Sequence, residues 1–355
     1  MGFSEENKNA AIEAYNNAFY VASDHRGYYC VSTKDRGEPK RYAKFWSTCE
    51  QIEALEDACQ RSSPKGAIYK GMIPELVNGL NHFVSGTSDW HTWNNFNDDI
   101  MWGIIALVRA YELTGRSNKG FLDQAQIQFN EVWKRGFDME LGGGLWWKFN
   151  DSTKTKNACV NFPAIIAGMH LARNTENTGF LSQAEQLWSW SRRNLYNEKT
   201  GQVSDHKASD GKLDTKPYTY NQGTFIGAAY LLYLHTRTKD PARATSYLDD
   251  CKLASSFTME RLTTKSGGVD ILDNNEVSGD DGPGFKGIFA RWCSVYAKET
   301  NNVRIKEWLT ANANMAWKNR NHVTNLMGTK WQDPTPKDLT SWECSSGLSI
   351  TQNAP

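Results

Sequence analysis

Two adjacent carboxylates, Asp98 and Asp99, are the residues whose type and spacing most directly suggest chemistry. They lie between a polar and aromatic segment, 90–96, and an apolar segment that continues to Tyr111. Neighbouring acids repel, so burying both costs free energy unless the pair is used. Paired carboxylates can divide nucleophilic attack and proton transfer between them, as in glycoside cleavage. The alternative is a plain helix start, because acidic residues in a first turn interact favourably with the helix dipole. Both interpretations stay open on this segment alone.

The elements that must position this pair are helical, because strand-like alternation is scarce. Amphipathic segments alternate along the chain with segments that are apolar on nearly every face, which is typical of half-buried and fully buried helices. We predict amphipathic outer helices over 7–22, 68–85, 119–135, 179–195, 241–262 and 302–320. We predict buried inner helices over 42–60, 98–114, 161–173, 219–236, 285–298 and 338–351.

An internal repeat of about 60 residues supports the pairing of these helices. Its copies begin at Phe121-Leu122, Phe180-Leu181 and Tyr247-Leu248, and each is followed by a glycine-containing loop that leads to the next inner helix. A repeat of this length favours a closed ring over an open solenoid. The sequence therefore predicts an all-α (α/α)6 barrel, a toroid of six helical hairpins, in a single domain over 1–355.

Inner helices that point the same way would bring their N-termini to one mouth of this barrel. The side chains at these N-termini are polar or aromatic, as a sugar site requires. Besides the catalytic candidates Asp98 and Asp99, the predicted substrate-binding residues are Asn157, Asn161, Tyr220, Asn221, Asp281, Phe285, Lys286 and Trp147.

Each of these residues also has a structural interpretation. Asn161, which precedes Pro163, could be a helix N-cap. Tyr220 could be a buried tyrosine with one hydrogen-bond partner, and Lys286 and Arg291 could form salt bridges inside the ring. The sequence leaves these alternatives open.

The composition excludes several classes of function. Lys plus Arg and Asp plus Glu both number 40, whereas a nucleic-acid or anionic-membrane surface would need a basic excess. No apolar run approaches the roughly 20 residues of a membrane span, and the given N-terminus has no signal-peptide pattern. The chain holds 14 Trp, 14 Tyr and 15 Phe, and aromatic rings both fill cores and stack on sugars. We expect a monomer.

No metal and no cofactor are predicted. The seven cysteines form no CxxC pair, and the seven histidines lack the HExxH spacing. The segment 278–282 resembles a calcium loop in composition only and lacks the EF-hand spacing. An odd number of cysteines leaves at least one thiol free. A disulfide among Cys30, Cys49 and Cys59 is an open possibility.

Five motifs in order resemble glycoside hydrolase family 76, the α-1,6-mannanases with an (α/α)6 barrel, and they cover about residues 40 to 335. They are Asn97-Asp98-Asp99, Gly142-Gly143-Gly144-Leu145-Trp146-Trp147, Lys156-Asn157-Ala158, Tyr218-Thr219-Tyr220-Asn221-Gln222-Gly223 and Phe285-Lys286-Gly287 with Asp281 and Arg291. The resemblance implies that Asp98 is the nucleophile and Asp99 the acid/base of a retaining mechanism. It also implies α-mannan as substrate, with endo cleavage, and favours an extracellular or cell-surface location.

A retaining mechanism requires different protonation states in the two acids. We expect Asp98 to be ionised and its charge, together with desolvation, to raise the pKa of Asp99. Adjacent carboxyls roughly 5 Å apart suit a double displacement. Two alternatives remain: a transglycosidase acting on mannose-containing cell-wall glycans or anchors, and a glycan-binding barrel without turnover. The intact acid pair argues against the second alternative.

Overall fold

The computed structural model describes residues 2–36, 41–61, 66–273 and 280–355, which form two compact units. The first unit comprises residues 1–88, 112–115 and 262–355, and the second comprises 89–111 and 116–261. The chain is predominantly α-helical, so the all-α prediction is confirmed. The prediction of a single domain over 1–355 stays a prediction.

The second unit is built on buried helices that lie against more exposed ones. Its helices are α5 (Asn97–Leu113), α6 (Lys119–Gly136), α7 (Ala158–Asn174), α8 (Gly179–Leu195), α9 (Thr219–Thr236) and α10 (Pro241–Arg261). The residues of α5 up to Tyr111 belong to this unit. The apolar helices α7 and α9 are buried on almost every face, and α7 packs against α6, α8 and α9. The exposed faces of α8 and α10 carry the polar residues, which explains their amphipathic pattern.

A small antiparallel sheet of the second unit joins two of its loops. The strands β3 (Thr155–Asn157), β4 (His206–Ala208) and β5 (Leu213–Asp214) pair in the order β3-β4-β5. The register places Asn157 opposite His206, and His206 opposite Asp214. Three polar residues that are distant in sequence therefore become neighbours at the start of α7.

The first unit holds the remaining helices and two β-hairpins. Its helices are α1 (Glu5–Phe19), α2 (Phe45–Gln60), α3 (Gly66–Tyr69), α4 (Met72–Gly79), α11 (Gly282–Glu299), α12 (Val303–Lys318) and α13 (Ser341–Asn353). Its hairpins pair β1 (Tyr20–Ser23) with β2 (Arg26–Tyr29) and β6 (Thr263–Ser266) with β7 (Val269–Leu272). The helix α13, which has a weak sequence signal, begins at a capping box formed by Thr340 and Glu343 and packs against α2 and α11.

Most predicted helix bounds lie within three residues of those observed, and two of the differences have identifiable reasons. The first helix ends at Phe19 rather than at residue 22, because Tyr20 begins a hairpin. The single helix predicted over 68–85 is interrupted at residues 70–71 between α3 and α4, and α4 ends at Gly79 and continues as a π-helical turn, Leu80–Val84. At Gly79, a Cβ atom would lie 1.6 Å from the carbonyl oxygen of Gly27, so only glycine permits this close approach.

Side-chain carboxamides on helices hold loops of the second unit and a hairpin strand of the first unit by their backbone atoms. In the second unit, Asn161 on α7 accepts from Leu145 N (2.8 Å) and donates to Leu145 O (3.0 Å). Gln222 on α9 likewise accepts from the backbone of Val203. In the first unit, Asn312 on α12 accepts from Leu272 N at 2.8 Å. Each amide thereby satisfies backbone groups that burial would otherwise leave unpaired.

All seven cysteines are buried and free, so a disulfide among Cys30, Cys49 and Cys59 is not formed. These thiols serve as small apolar core residues. Within the described ranges, no helix is both long and apolar enough to cross a membrane.

We expect Gly144→Ala to destabilise the protein by about 2–3 kcal/mol, because it adds overpacking to a left-handed backbone. Gly144 has φ +85°, and a Cβ atom there would lie 2.5 Å from the Trp190 ring. Gly142 has φ +83° but nothing within 4 Å of its Cβ position, so Gly142→Ala is the matched control, with a cost of about 1 kcal/mol. Thermal unfolding measures both, and equal losses would contradict the role of Trp190.

Candidate active site

The acid pair lies in the first turn of α5, directly after the segment that sequence analysis singled out. Asn94 in that segment donates through Nδ2 to Asp99 Oδ2 at 3.0 Å. The same Asn94 accepts from the backbone N–H of Phe96 at 2.9 Å, which fixes the orientation of its amide. Asp99 is therefore held by a specific partner five residues earlier in the chain.

Asp98 lies in a more enclosed environment. Desolvation raises the pKa of Asp98 to about 6, while the Trp147 indole and the Cys159 thiol beside it lower this pKa and limit the rise. In the described part of the chain, neither Asp98 Oδ1 nor Trp147 Nε1 has a hydrogen bond of standard geometry, although both atoms are buried. Trp147 thus approaches Asp98 closely enough to stabilise its charge without a fully aligned bond.

The pKa of Asp98 differs from the value that the sequence predicts for an ionised nucleophile. Sequence reasoning expected Asp98 to be ionised, and its charge together with desolvation to raise the pKa of Asp99. In the structure the pKa of Asp98 is itself raised, and its largest cause is desolvation rather than a neighbouring charge. A raised pKa of Asp99 stays a prediction. The dipole of α5 favours the ionised form, but burial has the larger effect on Asp98.

Tyr220 and Asp205 belong to the same group of side chains as Asp98. Desolvation raises the pKa of the Tyr220 phenol well above its ordinary value, and the adjoining Cys159 and the charges of Asp205 and Asp98 raise it further. Burial raises the pKa of the Cys159 thiol well above its ordinary value, the charges of Asp98 and Asp205 raise it further, and a hydrogen bond with Tyr220 lowers it. The helices α5, α7 and α9 and the loop before β4 therefore contribute to one site.

Asp205, His206 and Asp214 form a cluster that sequence reasoning missed. His206 Nδ1 lies 2.8 Å from Asp205 Oδ2, and this hydrogen bond raises the pKa of His206. Asn221 Nδ2 donates to Asp205 Oδ1 at 3.3 Å. One ligand atom from each of Asp205, His206 and Asp214 lies within 4.8 Å of the others, so these residues could hold a cation. The available signal was the glycine-containing loop 201–205, which occupies the repeat position before an inner helix.

The predicted asparagines differ in how much of their hydrogen-bonding capacity is used. Asn157 is the N-cap of α7, and its Oδ1 is buried without a partner among the described residues. Asn221 Oδ1 is also buried without a hydrogen-bond partner among the described residues. In contrast, Asn161 donates to Leu145 O and Asn157 O and accepts from Leu145 N. It lies within α7 rather than at its N-cap, so that structural interpretation was wrong, although Asn161 does hold a loop.

Three predicted residues belong to the first unit. Asp281 Oδ1 accepts from Trp46 Nε1 at 3.1 Å, and Phe285 packs against Trp46 with ring centroids 6.1 Å apart. Lys286 is buried, donates to Leu272 O at 3.1 Å, and lies 4.0 Å from the centre of the Trp331 ring. A shared cavity of these residues with Asp98 stays a prediction. Of the segment 278–282, residues 278 and 279 lie outside the described residues.

The acid pair, its enclosed aromatic neighbour and the helical fold together define a class of carbohydrate-active protein. The family model for glycosyl hydrolase family 76 matches residues 10–354. The chain belongs to this family, and its fold class is the (α/α)6 barrel.

Relatives and solved structures agree with this assignment. The chain is 26% identical over 319 residues to mannan endo-1,6-alpha-mannosidase DFG5 of Saccharomyces cerevisiae, covering 83% of this chain and 66% of that protein. It is also 26% identical to a putative mannan endo-1,6-alpha-mannosidase of Schizosaccharomyces pombe, covering 70% of this chain and 58% of that protein. The chain thus spans about three fifths to two thirds of the length of these curated relatives.

Among solved structures, the GH76A α-1,6-mannanase of Salegentibacter sp. HEL1_6 has a TM-score of 0.82 and 25% identity, with 98% of both chains covered. An inactive variant of that mannanase, in complex with α-1,6-mannotriose, has the same TM-score at 24% identity, again with 98% of both chains covered.

Proposed function

We propose that this chain is a retaining glycoside hydrolase that cleaves α-1,6-mannosidic linkages within mannan chains. The observation that carries the proposal is the acid pair at the start of α5, with Asn94 on Asp99 and Trp147 beside Asp98. The names of the curated relatives and the mannotriose bound to the Salegentibacter mannanase support α-1,6-mannan as the substrate class.

In this mechanism the Asp98 carboxylate attacks the anomeric carbon, and the bond from that carbon to the leaving oxygen breaks. Asp99 gives its proton to the leaving oxygen, and a mannosyl ester on Asp98 results. Asp99, now ionised, takes a proton from water. The resulting hydroxide-like oxygen attacks the anomeric carbon and releases Asp98. The Asn94 amide stabilises the ionised form of Asp99 in the second step.

The substrate would be bound by polar groups that the fold leaves available. Asn157 Oδ1 and Asn221 Oδ1 are buried acceptors without partners in the described part of the chain, so a side-chain movement on substrate binding that lets a sugar hydroxyl donate to them would remove an unfavourable state. Asp205 can accept a further hydroxyl, since carboxylates have capacity for several hydrogen bonds. Trp147 is half-buried beside Asp98 and offers an aromatic surface to a sugar ring.

The test of this proposal is incubation with linear α-1,6-mannan, followed by proton NMR of the first products. Two displacements at the anomeric carbon restore the α configuration, so α-mannose reducing ends should appear first. Oligosaccharides of mixed length would indicate internal cleavage. An initial β-anomer would contradict the role of Asp98 as nucleophile. Products longer than the donor after addition of an acceptor glycan would indicate a transglycosidase instead.

The pH dependence of kcat/KM should show an acid limb near pH 6. Asp98 attacks only when ionised, and its pKa is raised to about 6, so the rate should fall as the pH decreases through 6. Because the Cys159 thiol lowers this pKa, Cys159→Ala should move the limb to higher pH. Cys251→Ala, which removes a buried thiol on α10 beside Ile226, is the matched control and should leave the limb in place. A limb near pH 4 in the wild type would contradict this assignment.

A further inference from the structure

Arg135, in the last turn of α6, makes an unusual set of contacts with the segment that precedes the acid pair. Its guanidinium donates to His91 O at 2.7 Å, to Asn94 O at 2.8 Å and to Asn97 Oδ1 at 2.8 Å. The guanidinium also lies 5.1 Å from the centre of the Phe149 ring. Its planar fork of donors therefore spans the whole segment 91–97 from a single side chain.

The three acceptors lead to both carboxylates. Asn94, whose carbonyl Arg135 holds, donates through its side chain to Asp99 at 3.0 Å. Asn97, whose Oδ1 Arg135 holds, donates through Nδ2 to Trp146 O at 2.8 Å. The backbone N–H of Asn97 also donates to Trp147 O at 2.9 Å, and Trp147 is the indole beside Asp98.

Helix α6 also contacts the segment 91–97 at two further points. One face of α6 carries both Arg135 and, seven residues earlier, the buried Gln128, which accepts from His91 N at 3.0 Å. At Gly136 a Cβ atom would lie 2.9 Å from Asn97 Nδ2. The helix thus contacts the segment closely at both ends.

We propose that Arg135 is a positioning residue for the acid pair, acting mainly by setting Asn94 against Asp99 and, to a smaller extent through Asn97, by placing Trp147 beside Asp98. The kinetic part of this inference rests on the proposed hydrolase function. Arg135 does not stand out in the sequence, because a basic residue in the last turn of a helix is ordinarily explained by the helix dipole. Its neighbour Lys134 is exposed in the same turn and fits that ordinary explanation.

The test compares Arg135→Met, which removes all donors, with Lys134→Met, which removes the same charge from the same turn. We expect Arg135→Met to lower kcat on α-1,6-mannan by about 10²-fold, the scale of a small misplacement of reacting groups, with KM little changed. The loss should be smaller on an activated aryl α-mannoside, which needs little help from Asp99 to leave. Arg135→Lys should recover part of the rate, and Lys134→Met should stay within about twofold of wild type, as is usual for an exposed site.

A purely structural role would give a different pattern. Asn94→Ala, which removes only the amide on Asp99, should show the same dependence on leaving group as Arg135→Met. It replaces Arg135→Met in this test if that variant does not fold. In an Asp99→Asn background, Arg135→Met should add little further loss. Equal losses on both substrates, or full additivity with Asp99→Asn, would overturn the proposal.

A second readout separates this inference from the proposed function. If the wild type turns over neither substrate, the hydrolase proposal has failed, and hydrogen exchange of residues 91–99 then tests the positioning role. Exchange in this segment should accelerate in Arg135→Met and not in Lys134→Met. Unchanged exchange in Arg135→Met would refute the role of Arg135 whatever the activity.

Discussion

Asp98→Asn and Asp99→Asn are each expected to reduce kcat on α-1,6-mannan by about 10³- to 10⁵-fold, the scale seen when one member of a catalytic unit is removed. Neither change should unfold the protein. Asparagine at position 98 removes a charge whose desolvation already raises the pKa of Asp98, so Asp98→Asn should be at least as stable as wild type. Asp210→Asn, at an exposed carboxylate in the same unit, is the control and should keep full activity.

The two variants should differ in their response to the leaving group. Asp98→Asn lacks the attacking carboxylate, so all substrates should be affected alike. Asp99→Asn lacks the proton donor, so natural glycans should lose far more rate than aryl mannosides that leave without protonation. Steady-state rates on a series of aryl leaving groups measure this difference. Wild-type turnover in either variant would remove that residue from the mechanism.

Arg291→Met should destabilise the first unit by about 3–5 kcal/mol, the usual cost of breaking a buried ion pair by removing one partner. Arg291 on α11 lies 2.7 Å from Glu50 and Asp57 and 3.5 Å from Glu53 of α2, and all four side chains are buried. Methionine would leave three buried carboxyl groups without their common counter-charge. Arg41→Met, at a largely exposed arginine paired with Asp35, is the control and should cost at most about 1 kcal/mol.

The same cluster makes stability depend on pH in a defined direction. Desolvation, with a further contribution from Glu53, raises the pKa of Glu50 from 4.5 to about 8. The folded protein therefore binds a proton that the unfolded chain releases, and this contribution to stability is lost as the pH rises from 4.5 to 8. Glu50→Gln should remove this loss, so it should be more stable than wild type at pH 8 and not at pH 4.5. Unfolding at both values measures the effect, and a uniform shift would contradict it.

The sequence was informative where the physical signal is local. The apolar runs of α7 and α9 have to be buried on all sides, and their bounds are close to those predicted. The acid pair was recognisable because two adjacent charges at a helix start need an explanation. Arg291 was correctly given a salt-bridge alternative, because a charge on a buried helix has to be paired.

The rest of the site depends on pairings that no local pattern encodes. Asp214 reaches Asp205 and His206 only through the strand register of β4 and β5. The raised pKa of Asp98 depends on desolvation by residues far along the chain, of which Trp147 and Cys159 are two. The expectation for Asp99 weighed the neighbouring charge and desolvation at that position, and did not anticipate how strongly burial raises the pKa of Asp98 itself.

The carboxamides that hold the loops have a consequence for how members of this family can diverge. Asn161, Gln222 and Asn312 each bind backbone N–H or C=O groups of a loop or hairpin. Backbone groups are the same whatever residue carries them, so the side chains of each loop are left free to change. The same helices could therefore hold loops of different sequence, provided that the backbone of each loop places its N–H and C=O groups within hydrogen-bond distance of the amide. Substrate preference could then be altered without repacking the helical core.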